Sequence, residues 1–199
     1  MTDLNIGIIV GSTRPGRIGH LVGDWVKENA AAQGVSFELV DLHEYKLPLL
    51  EEMFPAPAGS YAGAEANAWA HKIAEFDGFI FVVGEYNHSL PAAIKNALDY
   101  VKFEWANKSA GIVSYGSMGG ARAAEHLRQV FGELQVADVR QQVMFSLFTD
   151  FAGFGTADVA FTPAEQKAGE LDTLVEQVVS WAGALSSVRE LADEEQVAA

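Results

Sequence analysis

The chain has 199 residues, no cysteine, and 27 acidic against 13 basic side chains, a formal net charge of −14. Without cysteine there is no disulfide, no thiolate nucleophile and no cysteine-held iron–sulfur cluster, and the acidity, with no basic cluster, disfavours binding to nucleic acid or anionic membranes. An apolar content of 49%, with 12 Phe and 4 Trp, is enough for a sizeable packed core and argues against disorder.

The first run, LNIGIIV (4–10), is predicted to be a buried strand, and it leads into GSTRPGRIG (11–19). Residues 19–32 place Leu21, Val22, Trp25 and Val26 at helical spacing and end near Gly34. SFELVDL (36–42) is a second strand; residues 43–60, rich in Pro and Glu, read as a long surface loop; a second helix is expected over 61–76. FDGFIFVVG supplies a third strand ending near Val83. GEYNHSLPAAIKNALDY (84–100) follows, with Glu, Tyr, Asn and His in succession before a proline and a helix. SAGIVSYG (109–116) is a fourth strand running into SMGGA, and residues 120–132 form an amphipathic helix with Ala124, Leu127, Val130 and Phe131 inward. VADVRQQVMFSL contains a fifth strand, and Pro163 after Thr162 opens the last long helix. Residues 1–185 are expected to form one domain and 186–199 an acidic, frayed tail.

Strands alternating with helices imply a parallel sheet covered on both faces. The expected fold is α/β: a flavodoxin-like three-layer sandwich with a five-stranded parallel sheet in the order 2-1-3-4-5. No apolar stretch reaches the length of a membrane span, and the N-terminus lacks the pattern of a signal peptide, so the expected location is cytoplasmic, with no membrane partner.

In such sheets ligands bind outside the carboxyl ends of the strands. That edge would gather GSTRPGRIG, GEYNHSLP and SYGSMGG. In the first loop, Ser12 and Thr13 can donate hydroxyl hydrogen bonds, Arg14 and Arg17 can pair with phosphate oxygens, and the glycines let backbone approach an anion at a helix N-terminus. The competing reading is a tight loop whose serine caps the helix and whose arginines are solvated. The loop is neither a Walker A motif nor GxGxxG. The glycines at 116, 119 and 120 suit a loop lying flat on a planar ligand, and equally a plain helix-opening turn. His20, His43, His71, His88 and His126 form no metal-ligand spacing, and no serine sits in a GxSxG elbow. Trp25, Trp69 and Trp181 fall on helices and are expected in the core. Lys95 and Asp99 are spaced for an i,i+4 pair, and Asn96 is a candidate loop anchor.

Together these segments resemble the NADPH-dependent FMN reductase family, which carries a GSxR-type phosphate loop, a PEYN-type loop before a P-x-x-x-K-N-A-x-D helix start, and a later S-x-G-x-x-G-G loop. The counterparts here are GSTR (11–14), EYNHSLPAAIKNALD (85–99) and SYGSMGG (114–120), in the same order. One departure is Gly84, where the family usually has proline; glycine would leave that turn more mobile. The resemblance implies bound FMN: Ser12, Arg14, Arg17, Ile18 and Gly19 around the phosphate; Glu85, Tyr86, Asn87 and His88 along the isoalloxazine; Ser114, Tyr115, Gly116 and Gly119 over the other side of the ring system. Trp105, in KFEWANK just before the fourth strand, is a candidate for the edge of that site or for a subunit contact.

It also implies an FMN-dependent oxidoreductase that passes a hydride from NADPH or NADH to flavin N5, and electrons on to a quinone, free flavin, azo compound or metal ion. The flavin carries that chemistry, so no catalytic side chain and no metal site is assigned. A homodimer or homotetramer is implied as well. Two alternatives stand beside it. One is a flavodoxin-type electron carrier with a partner reductase, which the acidity suits and the arginines of the first loop do not. The other is a flavin-sensing scaffold, for which Gly84 is the hint.

Overall fold

The computed structural model describes residues 4–56 and 59–197, without the side chains beyond 191. The elements are β1 (Leu4–Val10), α1 (Gly19–Asn29), β2 (Val35–Asp41), α2 (Leu42–Tyr45), α3 (Ala64–Ala74), β3 (Gly78–Gly84), α4 (Ala92–Tyr100), β4 (Ser109–Gly116), α5 (Ala121–Glu133), β5 (Ala137–Ser146), β6 (Phe151–Ala152), β7 (Ala160–Phe161) and α6 (Gln166–Val197). The five long strands form one parallel sheet, order β2-β1-β3-β4-β5, as expected. β1, β3 and β4 are nearly continuous runs of apolar residues because helices cover both faces of the sheet. Phe79, Phe81, Val83 and Ile112 face a core with α3, α4 and α5, while Ile6, Ile8, Ile80, Val82 and Val113 face a second core with α1 and α6.

The segment expected as one long loop begins with the single turn α2, whose Asp41 cap accepts a hydrogen bond from the His43 N–H, and it ends against α4. There Asn96 does anchor the loop: its Oδ1 accepts from Leu50 N at 2.9 Å and its Nδ2 donates to Pro48 O at 2.6 Å. Glu52 accepts from the N–H groups of Ala62 and Gly63, so the helix begins at Ala64, later than expected.

Two expectations about tryptophan are corrected. Trp105 lines neither a ligand site nor the surface: it is fully buried, with ring centroids 4.9 Å from Phe79 and 6.0 Å from Trp69. Trp181, expected in the core, is 46% exposed on α6. The acidic segment after residue 185 is also helical as far as Val197, and Arg189 within it is held by Asp77 at 2.5 Å and by the Asn107 carbonyl at 2.9 Å. An ion pair and a carbonyl bond to the body of the domain oppose the fraying expected of a chain end.

A small antiparallel hairpin, β6–β7, was not foreseen. It places Phe151 and Phe161 4.9 Å apart over the top of the second core, with Phe161 4.8 Å from Phe145. Trp25 closes this cluster at 5.3 Å from Phe145. No helix among the described residues is long and apolar enough to cross a membrane.

Removing the buried indole should be far more costly than removing the exposed one. Trp105→Ala is expected to lower the urea-unfolding free energy by about 3–5 kcal/mol, and Trp181→Ala by less than about 0.5 kcal/mol. Paired denaturation curves check both.

Candidate functional site

The loops after β1, β3 and β4 meet at the carboxyl edge of the sheet. The first leaves β1 at Gly11, whose N–H donates to Val82 O at 3.0 Å. A Cβ at Gly11 would run into the Ile94 side chain, so α4 packs directly on this backbone. The chain then turns through Pro15 and Gly16, whose φ of +66° suits glycine. It enters α1 with no side-chain cap at Ile18. Ser12, a candidate cap by composition, does not cap the helix: its hydroxyl is buried and has no hydrogen-bond partner.

The two arginines of this loop differ. Arg17 is turned inward, its Nη2 held by Asp41 at 2.5 Å, and its Nη1 is buried without a partner. Arg14 is exposed and donates only to the Pro15 carbonyl at 3.1 Å. The loop therefore offers one tethered cation, one unpaired hydroxyl and an uncapped helix N-terminus. Asp41, at the end of β2, was missed by sequence reasoning. The available signal was an acid at the carboxyl end of a strand beside a cationic loop. His43 also braces the loop through Nδ1 and the Thr13 carbonyl, 3.1 Å apart.

The second loop is a tight turn. Tyr86 and Ser89 exchange backbone hydrogen bonds of 2.9 and 3.1 Å, and Asn87 and His88 between them have φ values of 50° and 69°. Two successive left-handed residues make a type I′ turn, in which Asn fits readily. Asn87 and His88 are exposed at its tip. Glu85 does not pair with Lys95, which is bound to Asp99 at 2.6 Å as its spacing predicts. Glu85 turns instead toward α5. Its side chain, 4% exposed, accepts hydrogen bonds from the Arg122 backbone N–H at 3.1 Å and from the Arg122 guanidinium. Arg122 also donates to His88 Nε2 at 2.8 Å. A guanidinium only donates, so this ring nitrogen accepts and the imidazole proton lies on Nδ1. Burial works against the charged form of Glu85, but the hydrogen bonds from Arg122 outweigh it and hold the carboxyl below its ordinary value.

The third loop is fixed from beneath. Ser114 Oγ donates to Gly119 O at 2.6 Å and accepts from Gln142 Nε2 at 2.9 Å, so this serine braces its own loop and is fully buried. Gly119 and Gly120 have φ of +67° and +74°, and a Cβ at Gly120 would lie 2.8 Å from Tyr115 N. Tyr115, expected over the flavin ring, points the other way: its ring is in the α1/α6 core, toward Ser12 and Gly19. Gly84 is the last residue of β3, in register with Tyr115, and the Glu85 N–H donates to Tyr115 O at 3.0 Å. It is a paired strand end and not the loose hinge its type suggested.

Among the described residues, the buried side-chain polar atoms without partners are Ser12 Oγ, Arg17 Nη1, Arg122 Nε and Trp105 Nε1. All but the last lie on this edge. Such atoms are costly, and a bound hydrogen-bond acceptor at this edge would complete their bonding. A cavity of about 470 Å³ adjoins the third loop, lined by Met118, Met144, Ser146, Asp150 and Lys167. A second of about 500 Å³ lies at the opposite edge, but its cations are already engaged: Lys108 with the Ile73 carbonyl at 2.8 Å and Arg189 with Asp77. No cluster of His, Asp or Glu able to hold a metal occurs among the described residues.

A family model described as NADPH-dependent FMN reductase matches residues 4–150, which include all three loops and Arg122. The chain is 34% identical over 145 residues to an NAD(P)H-dependent FMN reductase of Saccharomyces cerevisiae, covering 67% of this chain and 76% of that protein. It is 31% identical over 149 residues to a 2-hydroxy-1,4-benzoquinone reductase of a Burkholderia species, covering 71% and 78%. Among solved structures, the flavoenzyme NAD(P)H:(acceptor) oxidoreductase FerB from Paracoccus denitrificans superposes with a TM-score of 0.69 at 21% identity, covering 89% of this chain and 98% of that one. At that identity the likeness is one of fold.

The Glu85–Arg122 brace has a pH signature. A carboxyl held below its ordinary value of 4.5 in the folded state contributes stability that is complete above that value and lost as pH falls through the lowered one. Glu85→Gln should therefore be less stable than the parent near neutrality, with the gap closing as pH drops below 4.5. Thermal melts across that range measure the gap.

Proposed function

The chain belongs to the NADPH-dependent FMN reductase family, and from that membership we propose that it binds FMN at the loop edge and reduces a small acceptor, such as a quinone, at the expense of NADPH or NADH. The observation that carries the site is the set of unpartnered buried donors, Ser12 Oγ and Arg17 Nη1, at the uncapped N-terminus of α1. They fit a phosphate dianion: each would gain an acceptor oxygen where it now has none, and the helix end favours negative charge. At Gly19 the absence of a Cβ leaves room for the Ser12 and Tyr115 hydroxyls at the helix start.

When bound, FMN supplies the redox chemistry, taking a hydride from NAD(P)H at N5 and returning electrons to the acceptor. The protein's residues bind and orient. Arg17, fixed by Asp41, and Ser12 hold the phosphate end. The Tyr86–Ser89 turn and the Gly116–Gly120 backbone would flank the ring system, with Glu85, Arg122 and Ser114 keeping those loops in place. His88 accepts from Arg122 through Nε2, an arrangement that disfavours its use as a proton donor at that atom. Met118 and Met144 form an adaptable apolar wall beside the third loop, which suits a planar acceptor. Arg14 remains available at the surface to meet the phosphate of FMN or of the nicotinamide donor.

The test is direct. The protein should take up FMN with quenched flavin fluorescence, and anaerobic NADPH or NADH should bleach it. Alone, with a quinone, it should sustain NAD(P)H oxidation; an electron carrier would need a partner reductase. Ser12→Ala should weaken FMN binding by about tenfold while leaving the flavin-free protein as stable as before or more so, because an unsatisfied buried hydroxyl is removed. A loss of apo stability in that variant would point to a structural role for the hydroxyl.

A further inference from the structure

Ser12 is not alone at the foot of the first loop. A Cβ at Gly19 would fall on Ser12 Oγ and would lie 2.6 Å from the Tyr115 hydroxyl, so the two hydroxyls converge on the first residue of α1. Tyr115 is 4% exposed, and the β6–β7 hairpin supports its ring, with the Phe151 centroid 6.2 Å away. The two hydroxyls are near enough to interact, but not in the geometry of a formed hydrogen bond, which leaves Ser12 Oγ without a full partner. Burial pushes the phenol up to about 12, with Ser12, Arg14 and Arg17 pulling the other way. It stays protonated, and therefore a donor, throughout the neutral range.

The ring reaches this position through Gly84. A Cβ there would lie 2.9 Å from Tyr115 Cζ and Oη and 3.1 Å from Cε2. No side chain, and no proline ring, fits at Gly84 while Tyr115 occupies that space. The glycine that departs from the family pattern and the tyrosine at the end of β4 are thus in direct steric contact.

We propose that the Tyr115 hydroxyl is a further donor to the flavin phosphate, beside Ser12 and Arg17, and that Gly84 is the residue that admits its ring. This rests on the FMN reading and sharpens it. It moves Tyr115 from the ring system, where the motif placed it, to the phosphate end. It also separates two ligands that share an isoalloxazine: FMN, which has the phosphate, and riboflavin, which lacks it.

Tyr115→Phe keeps the ring and removes the hydroxyl, so the fold is retained. Measured by quenching of flavin fluorescence, the variant should bind FMN about tenfold more weakly, the usual cost of losing a hydrogen bond to a charged group, with riboflavin affinity unchanged. Equal losses for both flavins, or no loss for FMN, overturn the proposal while leaving flavin binding itself intact. A parent protein that binds neither flavin overturns the FMN reading as well. The packing half has its own readout. Gly84→Ala should lower the apo melting temperature in the parent and much less in a Tyr115→Ala background. The same decrease in both backgrounds would show that the ring is not what excludes a side chain at 84.

Discussion

At the carboxyl edge of the sheet, backbone from three segments closes on a single residue, Tyr115. Gly19 from the first, Gly84 from the end of β3 and Gly120 from the third each bring backbone so near Tyr115 that an added Cβ would lie 2.6, 2.9 and 2.8 Å from its atoms. Interiors packed to this density do not absorb an extra carbon without moving something. The constraint works in both directions. Gly19 and Gly84 are needed because the ring is there, and the ring is held because those two backbones flank it and the hairpin covers it; Gly120 lies instead against the Tyr115 backbone. The relative positions of the loops, and so the shape of the site, follow from this packing more than from any hydrogen bond between them.

Electrostatics then acts on a frame already set by sterics. A chain with a net charge of −14 would repel an anionic cofactor unless the local field were reversed. The reversal is local and tethered. Arg17 is fixed by Asp41 through one nitrogen and keeps the other free; Arg122 is fixed by Glu85 while reaching His88. Each acid costs some of the positive charge beside it. In exchange, a long flexible cation is held in one place before any ligand arrives, which lowers the entropy cost of binding. Arg14, with no acid partner, is the cation that stays mobile by the same reasoning, and its exposure agrees with that.

Much of this was legible in the sequence, for identifiable reasons. Long apolar runs bounded by glycine located β1, β3 and β4, the first and last of them to the residue, because strands buried on both faces need such runs. The three loops were readable because strand order alone brings them together. What was not legible depends on contacts distant in sequence. Trp105 sits in KFEWANK, a polar heptad in no regular element, and only the fold brings it against Phe79 and Trp69. Trp181 has helical spacing but lies on the outward side of α6, which one strip of periodicity did not resolve. The β6–β7 hairpin has two-residue strands, too short for alternation to register. The partner of Glu85 was not legible either: Lys95, nearer in sequence, is satisfied by Asp99 one turn on, and Arg122, 37 residues away, takes the carboxylate.

Gly84 shows how a residue type can mislead when read alone. Glycine permits motion, yet here every neighbouring group is fixed. Gly84 is paired with Tyr115 in the sheet, Glu85 is bound through both its backbone N–H and its side chain, and Tyr86 and Ser89 close the turn. At the turn's tip His88 holds a φ of 69°, an uncommon conformation for a residue with a side chain. Such a conformation persists where its surroundings over-determine it, and here the imidazole is clamped by the same arginine that binds Glu85. A proline at 84 would stiffen this turn from within. The glycine yields that role to contacts from β4 and α5, and the space it leaves holds a phenol directed at the first loop. At Gly84 rigidity comes from the packing of neighbours and not from the backbone of the residue itself.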